Sequence, residues 1–172
     1  MKVLDRLEKN RAFWYLFTIC GGFFLLRFPS LFEPYWYGDE GVYQTVGLAI
    51  RNGRLLYQGI WDNKPPLLYM VYSFFESDQF GVKLISLIFG LLSIFVFYKL
   101  SKKILASEKI ALFSTAFFAI IFGSPLLEGN IANAENFMIL PILTSALLLL
   151  NLKEENETKK IQNKNILIIF IS

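Results

Sequence analysis

The sequence predicts an all-α fold, a polytopic bundle of transmembrane helices, and three observations support this class. Of the 172 residues, 55% are hydrophobic, and the mean hydropathy is +0.47. Charged residues make up 18% of the chain, whereas soluble domains carry about 25%. The apolar residues also form segments close in length to the roughly 20 residues that a helix needs to cross a bilayer. The chain is therefore predicted to be an integral membrane protein.

Five apolar segments are predicted to be spans. The first has a basic flank but is followed by no small-residue cleavage pattern, so it is interpreted as a retained anchor. Arg27 and Lys83 fall near the ends of their segments, where long side chains can reach the interface. The predicted spans cover residues 12–32, 80–100, 110–127, 137–152 and 161–172, the last cut off by the end of the sequence.

The distribution of basic residues predicts the orientation. Lysine and arginine cluster in three places that fall on one side if the first four spans alternate. These are the N-terminal flank with Lys2, Arg6, Lys9 and Arg11, the turn with Lys99, Lys102, Lys103 and Lys109, and the tract with Lys153, Lys159, Lys160 and Lys164. The positive-inside rule makes that side cytoplasmic. We therefore predict a multi-pass protein of the plasma membrane with a cytoplasmic N-terminus and the loop 33–78 outside.

Composition also limits the chemistry. The chain has no histidine and one cysteine, Cys20, so an intramolecular disulfide is excluded and the commonest general base is missing. Acid–base chemistry must therefore use carboxylates, lysine or tyrosine. The net charge of +3 is too small to indicate nucleic-acid binding.

The first half of the outer loop, "YWYGDEGVY", predicts a helix that begins near Asp39 and Glu40. An apolar stripe at helical spacing follows, formed by Val42, Val46, Ala49 and Ile50, and Asn52-Gly53 is a helix stop signal. Two interpretations of the acids stay open. They stabilise the helix dipole from its first turn, or one of them is a catalytic base where the bundle meets water.

The second half of the loop contains "WDNKPPLLY", which predicts a helix over 67–75 capped by Asp62 or Asn63. Lys64 would then sit at the start of this helix, and a cation beside a helix N-terminus suits an anion. Arg51 and Arg54 would add charge from the same loop. The alternative is that Lys64 only pairs with a lipid phosphate or with Asp62.

The second outer loop, "SPLLEGNIANAENF", places Glu128 and Glu135 among three asparagines. Such acids and amides suit sugar hydroxyls or a divalent cation, and this choice is left open, as is the identity of any metal. For Glu135 the alternative is pairing with the helix dipole at the start of the fourth span.

The stretch "YWYGDEGVYQTVGLAIRNGRLLYQGIWDNKPPLLYMVY" resembles the first outer loop of GT-C fold membrane glycosyltransferases. The branch that it resembles contains the bacterial relatives of dolichyl-phosphate-mannose–protein mannosyltransferase and the aminoarabinose transferase of lipid A. The resemblance lies in the acidic pair Asp39-Glu40, the turn "NGRLLYQGIWD" and the box "DNKPPLLY". It implies that residues 1–172 are the N-terminal part of a larger GT-C transmembrane domain.

The resemblance also implies an activity, the transfer of a sugar from a polyprenyl-phosphate donor to a lipid, glycan or protein acceptor at the outer membrane face. By this resemblance, Asp39 is the acid that acts as catalytic base or binds the acceptor, and Lys64 contacts the donor phosphate. Together with the residue patterns above, the predicted catalytic residues are Asp39 and Glu40, and the predicted donor-phosphate ligands are Lys64, Arg51 and Arg54. The predicted substrate-binding carboxylates are Asp62, Glu128 and Glu135. Some relatives carry an acid or histidine before the lysine, where this chain has Asn63. The expected partners are a polyprenyl-phosphate-linked sugar and membrane lipids.

Two other classes of function remain alternatives. One is a non-catalytic membrane module that binds lipid phosphates, which also covers a fragment that binds donor without turnover. The other is a small transporter or flippase subunit, but its ionisable residues should lie at the bilayer midplane. Here they gather at one face, which favours interfacial chemistry.

Overall fold

The computed structural model describes residues 11–35, 37–76 and 78–171, with side chains through residue 155. Over these described ranges, six α-helices follow one another: α1 Arg11–Arg27, α2 Gly38–Arg51, α3 Pro66–Phe74, α4 Gln79–Leu105, α5 Glu108–Gly123 and α6 Ala134–Ile171. A 3-10 helix, Phe28–Phe32, extends α1, and another, Pro125–Leu127, follows α5. Within these residues the only β-type pairing is an isolated bridge between Leu56 and Ile60. The predicted all-α class is confirmed.

In the described part of the chain, three helical segments are long and apolar enough to cross a membrane: Arg11–Phe32, Gln79–Leu105 and Ala134–Glu155. They correspond to the first, second and fourth predicted spans. Helix α5, at the position of the third, has 16 residues, which is about 24 Å and shorter than a typical span. Helix α6 runs unbroken to Ile171, so the break predicted before residue 161 is absent from the backbone. Lysine and glutamate favour helix, which explains the continuity.

Part of the predicted charge and aromatic pattern lies outside the described residues. This applies to Lys2, Arg6, Lys9 and Trp36, and to the side chains of Lys159, Lys160 and Lys164.

Helices α1, α4 and α5 pack around Phe23. This ring is buried and stacks on Phe122 with 5.9 Å between centroids. A Cβ at Gly90 would lie 2.5 Å from Phe23, and one at Gly123 would lie 2.9 Å from it, so glycine is needed at both positions. Close approach over small residues is how helices associate where lipid removes the hydrophobic driving force.

Helices α2 and α3 pack on each other and, with Val82, Ala132, Ala134 and Phe137, form a second core. A Cβ at Gly47 would lie 2.9 Å from the backbone of α3, which sets this close crossing. The predicted apolar stripe is confirmed in part: Val46 is buried and Ile50 packs against this core, but Val42 is 45% exposed and Tyr43 is buried instead. Tyr43 therefore belongs to the packed face, and Val42 does not.

The ends of the two loop helices are also informative. Helix α2 ends at Arg51, and Gly53 has a φ of 82°, as the Asn52-Gly53 signal predicts. The predicted cap of α3 is wrong, because Pro65 is the N-cap residue and no side chain caps the helix. The Asp62 carboxylate bonds to Tyr69 instead.

Arg27 and Lys83 are fully buried, so the prediction that they extend to the interface is wrong. Arg27 donates to Ser86 Oγ at 3.1 Å, and Lys83 Nζ donates to the Glu33 carbonyl at 2.8 Å. Both cations act on the Glu40 carboxylate. These partners replace part of the lost solvent contact, but Nε and Nη1 of Arg27 have no hydrogen-bond partner among the described residues.

Candidate functional site

A polar pocket of about 360 Å³ opens where α2, the loop before α3, the loop after α5 and the start of α6 meet. Asp39 and Lys64, 25 positions apart in the sequence, both line it, and so do Glu128 and Glu135. The other lining residues are Tyr37, Phe122, Leu127, Asn133 and Asn136. Four of the eight predicted site residues thus meet in one pocket.

The backbone of Lys64 is held on both sides. Its N–H donates to Tyr69 Oη at 2.9 Å, and its carbonyl accepts from Tyr57 Oη at 2.8 Å. The ammonium Nζ lies 3.6 Å from Glu135 Oε1. Tyr57 and Tyr69 therefore fix the backbone of Lys64, and the Lys64 side chain lines the pocket.

The predicted N-terminal anion site of α3 is weaker than expected. Pro65 and Pro66 carry no N–H, and the N–H of Leu68 bonds to the Pro65 carbonyl at 3.2 Å. At this end of the pocket, the Lys64 ammonium is therefore the group that could pair with an anion.

The Asp39 carboxylate is held by Tyr43, one helical turn further along α2. Tyr43 Oη lies 3.1 Å from Asp39 Oδ2 and 3.3 Å from Asn133 Oδ1. The Asn133 oxygen also accepts the Ala134 N–H at 2.7 Å at the start of α6. Asp39 is thus linked to the first turn of α6, which carries Glu135.

The pocket is more acidic than basic, with Asp39, Glu128 and Glu135 set against Lys64. The Tyr37 hydroxyl is affected by these charges. Its pKa is raised, first by Glu128, then by burial, Asp39 and Glu135, and Lys64 opposes the shift. Among the described residues, no three Asp, Glu, Cys or His side chains are grouped so that they could hold a metal ion.

Arg51 and Arg54 do not reach the pocket. Arg51 lies twelve residues after Asp39, about 18 Å along the helix axis. It forms an ion pair with Glu76 at 2.5 Å and donates to the Ser73 carbonyl at 3.2 Å. Arg54 is exposed in the following turn. This placement corrects the expectation that both arginines join Lys64.

Asp62 also lies outside the lining of the pocket and holds the loop in place. Its Oδ2 accepts from Tyr69 Oη at 2.7 Å, and its Oδ1 accepts the Asn63 N–H at 2.8 Å. Since Tyr69 in turn accepts the Lys64 N–H, Asp62 acts on the pocket through the position of Lys64.

Glu40 points into the bundle, away from the pocket lining. It is fully buried, and its Oε1 accepts the Ala132 N–H at 2.7 Å. Burial raises the pKa of Glu40, and the bond from Ala132 and the charges of Lys83 and Arg27 only partly offset this effect. Glu40 therefore connects α2 to the loop before α6.

We expect Glu40→Ala to lower the free energy of unfolding by about 2 kcal/mol, because the buried Ala132 N–H loses its acceptor. Glu40→Gln keeps an acceptor and should cost less than about 1 kcal/mol. Thermal unfolding in detergent measures both, and exposed Glu128→Gln is the control. Equal losses in Glu40→Ala and Glu128→Gln would contradict this role.

The same carboxylate predicts a dependence on pH. Because the pKa of Glu40 is raised in the folded state, the folded protein binds more protons than the unfolded chain above the ordinary value of 4.5. The contribution of Glu40 to stability therefore falls as pH rises through that window. Glu40→Gln cannot ionise and should lack this decline.

The sequence analysis missed the tyrosines that build the site. Tyr43, Tyr57 and Tyr69 hold Asp39 and Lys64, and Tyr72 Oη donates to the Ala132 carbonyl at 2.8 Å. One local signal was present, because Tyr43 lies four residues after Asp39 and so shares its helix face. The other three contacts depend on how the loop folds.

An apolar groove of about 500 Å³ adjoins the polar pocket. The two come close at two points of the chain, because Lys64 lines the pocket and its neighbour Pro65 lines the groove. In the same way, Glu135 lines the pocket and its neighbour Ala134 lines the groove. Further into the groove lie Leu67, Val71, Phe137, Met138 and Pro141. A charged group in the pocket could thus carry a long apolar chain into the groove.

Comparison with known protein families matches residues 54–172 to the dolichyl-phosphate-mannose-protein mannosyltransferase family. The match covers about two thirds of the chain and includes Lys64, Glu128 and Glu135, but begins after Asp39. No curated protein and no solved structure matches the chain. The predicted resemblance is confirmed at the level of the family: the chain belongs to the dolichyl-phosphate-mannose-protein mannosyltransferase family of membrane glycosyltransferases.

Proposed function

We propose that the protein transfers a sugar from a polyprenyl-phosphate donor to a hydroxyl of a lipid, glycan or protein acceptor. One observation carries this proposal: Asp39 and Lys64 line the same pocket, and that pocket adjoins an apolar groove. A base, a cation and an apolar channel are what such a donor and its acceptor require.

The donor would extend from the pocket at Lys64 into the groove that begins at Pro65. Its phosphate pairs with the Lys64 ammonium, and its isoprenoid chain enters the groove between Leu67, Phe137 and Met138. Each buried CH₂ group adds about 0.8 kcal/mol of transfer free energy, so the groove would provide most of the affinity for the donor. The lysine would fix the position of the phosphate.

The chemistry is a single displacement with inversion. Asp39 takes the proton of the acceptor hydroxyl as its oxygen forms a bond to the anomeric carbon. The bond from that carbon to the phosphate oxygen breaks, and polyprenyl phosphate leaves with the electron pair. Lys64 stabilises the leaving charge. General-base catalysis contributes about 10²–10⁴-fold, and one well-placed electrostatic donor contributes about 10²–10³-fold.

Glu128 and Glu135 supply the acceptors for sugar hydroxyls. Both line the pocket with Asn133 and Asn136, whose side-chain amides can exchange hydrogen bonds with the same hydroxyls. The carboxylates would bind the sugar, while Asp39 faces the acceptor.

The direct test is sugar transfer by the full chain in lipid nanodiscs. The probe is dolichyl-phosphate-mannose labelled in the sugar, presented with membrane extract as the acceptor source. Label moving from the donor to lipid, glycan or protein supports the proposal. Saturable donor binding with no transfer would favour the non-catalytic module instead.

The pocket is proposed to face the outside of the plasma membrane. The outer loop precedes α4, and Lys102 and Lys103 lie at the opposite end of this 27-residue helix. Under the positive-inside rule, we therefore expect the N-terminus and those lysines in the cytoplasm.

We expect Gln58→Cys, in the exposed turn between α2 and α3, to react with an impermeant thiol reagent in intact cells. Lys109→Cys, exposed at the other end of the bundle, is the matched control and should react only after lysis. The reverse pattern would overturn the orientation. The native Cys20 lies within the first span, out of reach of such a reagent.

A further inference from the structure

Tyr43 occupies a packed position beside Asp39 and Asn133, which line the pocket. Its ring meets the edges of Tyr69 and Tyr72, with centroid distances of 6.1 and 5.6 Å and interplanar angles of 64° and 71°. The side chain is 1% exposed. The packing therefore fixes the position of the ring, and the Tyr43 hydroxyl lies 3.1 Å from Asp39 Oδ2.

The direction of this hydrogen bond follows from chemistry. The hydroxyl has one proton and two neighbouring acceptors, Asp39 Oδ2 and Asn133 Oδ1. An ionised carboxylate is the stronger acceptor, and the asparagine oxygen already accepts the Ala134 N–H. Burial, and then the charge of Asp39, raise the pKa of Tyr43, so the phenol stays protonated and acts as the donor.

We propose that Tyr43 is the positioning residue for the catalytic base, holding Asp39 Oδ2 so that Oδ1 takes the proton of the acceptor hydroxyl. The inference rests on the proposed function, in which Asp39 is the base.

Charged groups from the surrounding elements share the pocket with Asp39. These are Glu128 after α5, Glu135 on α6 and Lys64 before α3. Tyr37, before α2, also lines the pocket. Of these groups and Tyr43, Tyr43 is the one on the helix of Asp39 itself, so its donor moves with the base.

The test is an infrared titration of the full chain in nanodiscs, with the Asp39 signal identified by its loss in Asp39→Asn. In Tyr43→Phe, the pH midpoint of that signal should rise by about one unit, because a charge-assisted donor to the ionised form is removed. Tyr72→Phe is the matched control. It removes an equally buried hydroxyl, which donates to the Ala132 carbonyl, and should leave the midpoint unchanged.

A second variant keeps the test decisive if Tyr43→Phe unfolds. 3-Fluorotyrosine introduced at position 43 retains the ring and is a stronger donor, so the midpoint should move to lower pH. An unchanged midpoint in both variants, or the same shift in Tyr72→Phe, would overturn the inference.

Transfer assays on the same samples separate this inference from the proposed function. Tyr43→Phe should lower kcat with little change in the KM for donor, because it acts on the base and not on the phosphate. If Asp39→Asn still transfers sugar, the base assignment fails whatever the titration gives. If Asp39→Asn is inactive and Tyr43→Phe leaves the titration unmoved, only the role of Tyr43 fails.

Discussion

Asp39→Asn is expected to abolish sugar transfer while donor binding persists. The amide has the same size and still offers Tyr43 an acceptor oxygen, so the pocket should keep its shape. It cannot take a proton from the acceptor hydroxyl, and loss of the general base should reduce turnover by about 10²–10⁴-fold. Sugar transfer from labelled dolichyl-phosphate-mannose measures turnover. Binding of the same donor in the absence of acceptor measures the affinity for donor, which should not change.

The matched control is the neighbouring acid. Glu40→Gln changes the other carboxylate of the pair, which faces the bundle and bonds to the Ala132 N–H. It should retain most of the turnover. If Glu40→Gln loses activity and Asp39→Asn does not, the two acids have been assigned the wrong way round.

For the acidic pair Asp39 and Glu40, the helix could be predicted from the sequence, but the direction of each side chain could not. Helix start signals placed Asp39 and Glu40 in the first turn of a helix, and α2 does begin at Gly38. Successive residues on a helix point about 100° apart, so only one of the two could face the pocket. Which one does so depends on the packing of Tyr43 and Gly47 against α3, and the local sequence does not contain that information.

The buried cations illustrate the same limit over longer distances. Hydropathy placed Arg27 and Lys83 near the ends of spans, where reaching the interface is the ordinary outcome. Their partners are Ser86, 59 positions from Arg27, and the Glu33 carbonyl, 50 positions from Lys83. A single sequence cannot reveal contacts at such separations. Arg27 and Lys83 were therefore predicted to reach the membrane interface.

The shared pocket, by contrast, could be anticipated. Asp39 and Lys64 each lie at the start of a loop helix, and both helices must bury apolar faces at the same end of the bundle. The turn that Gly53 permits lets the chain reverse between them. Arg51 and Arg54 were included on charge alone. The helix axis carries Arg51 away from Asp39, so position along an element matters as much as membership of the loop.

Lys64→Ala is expected to weaken the binding of polyprenyl phosphate by roughly 10–150-fold, because a charge-assisted contact of about 1.5–3 kcal/mol is lost. Binding of polyprenyl phosphate without a sugar, followed by calorimetry in nanodiscs, isolates the phosphate contact from the chemistry. Arg51→Ala is the control, since it removes a cation of the same loop that is paired with Glu76, outside the pocket. Equal weakening in both variants would mean that the loop attracts phosphate only by its overall charge.

A variant of Glu135, the ion-pair partner of Lys64, tests the same phosphate contact from the other side. Its carboxylate is the partner of Lys64 at 3.6 Å and is 68% exposed, so the pair contributes at most about 1 kcal/mol. A phosphate that binds Lys64 must displace this partner and then meets its negative charge. Glu135→Gln should therefore tighten polyprenyl phosphate binding by up to about fivefold. In the Lys64→Ala background most of that gain should vanish, because the competition is for the ammonium. An undiminished gain in the double variant would show that Glu135 acts on the phosphate directly, by repulsion, and not through Lys64.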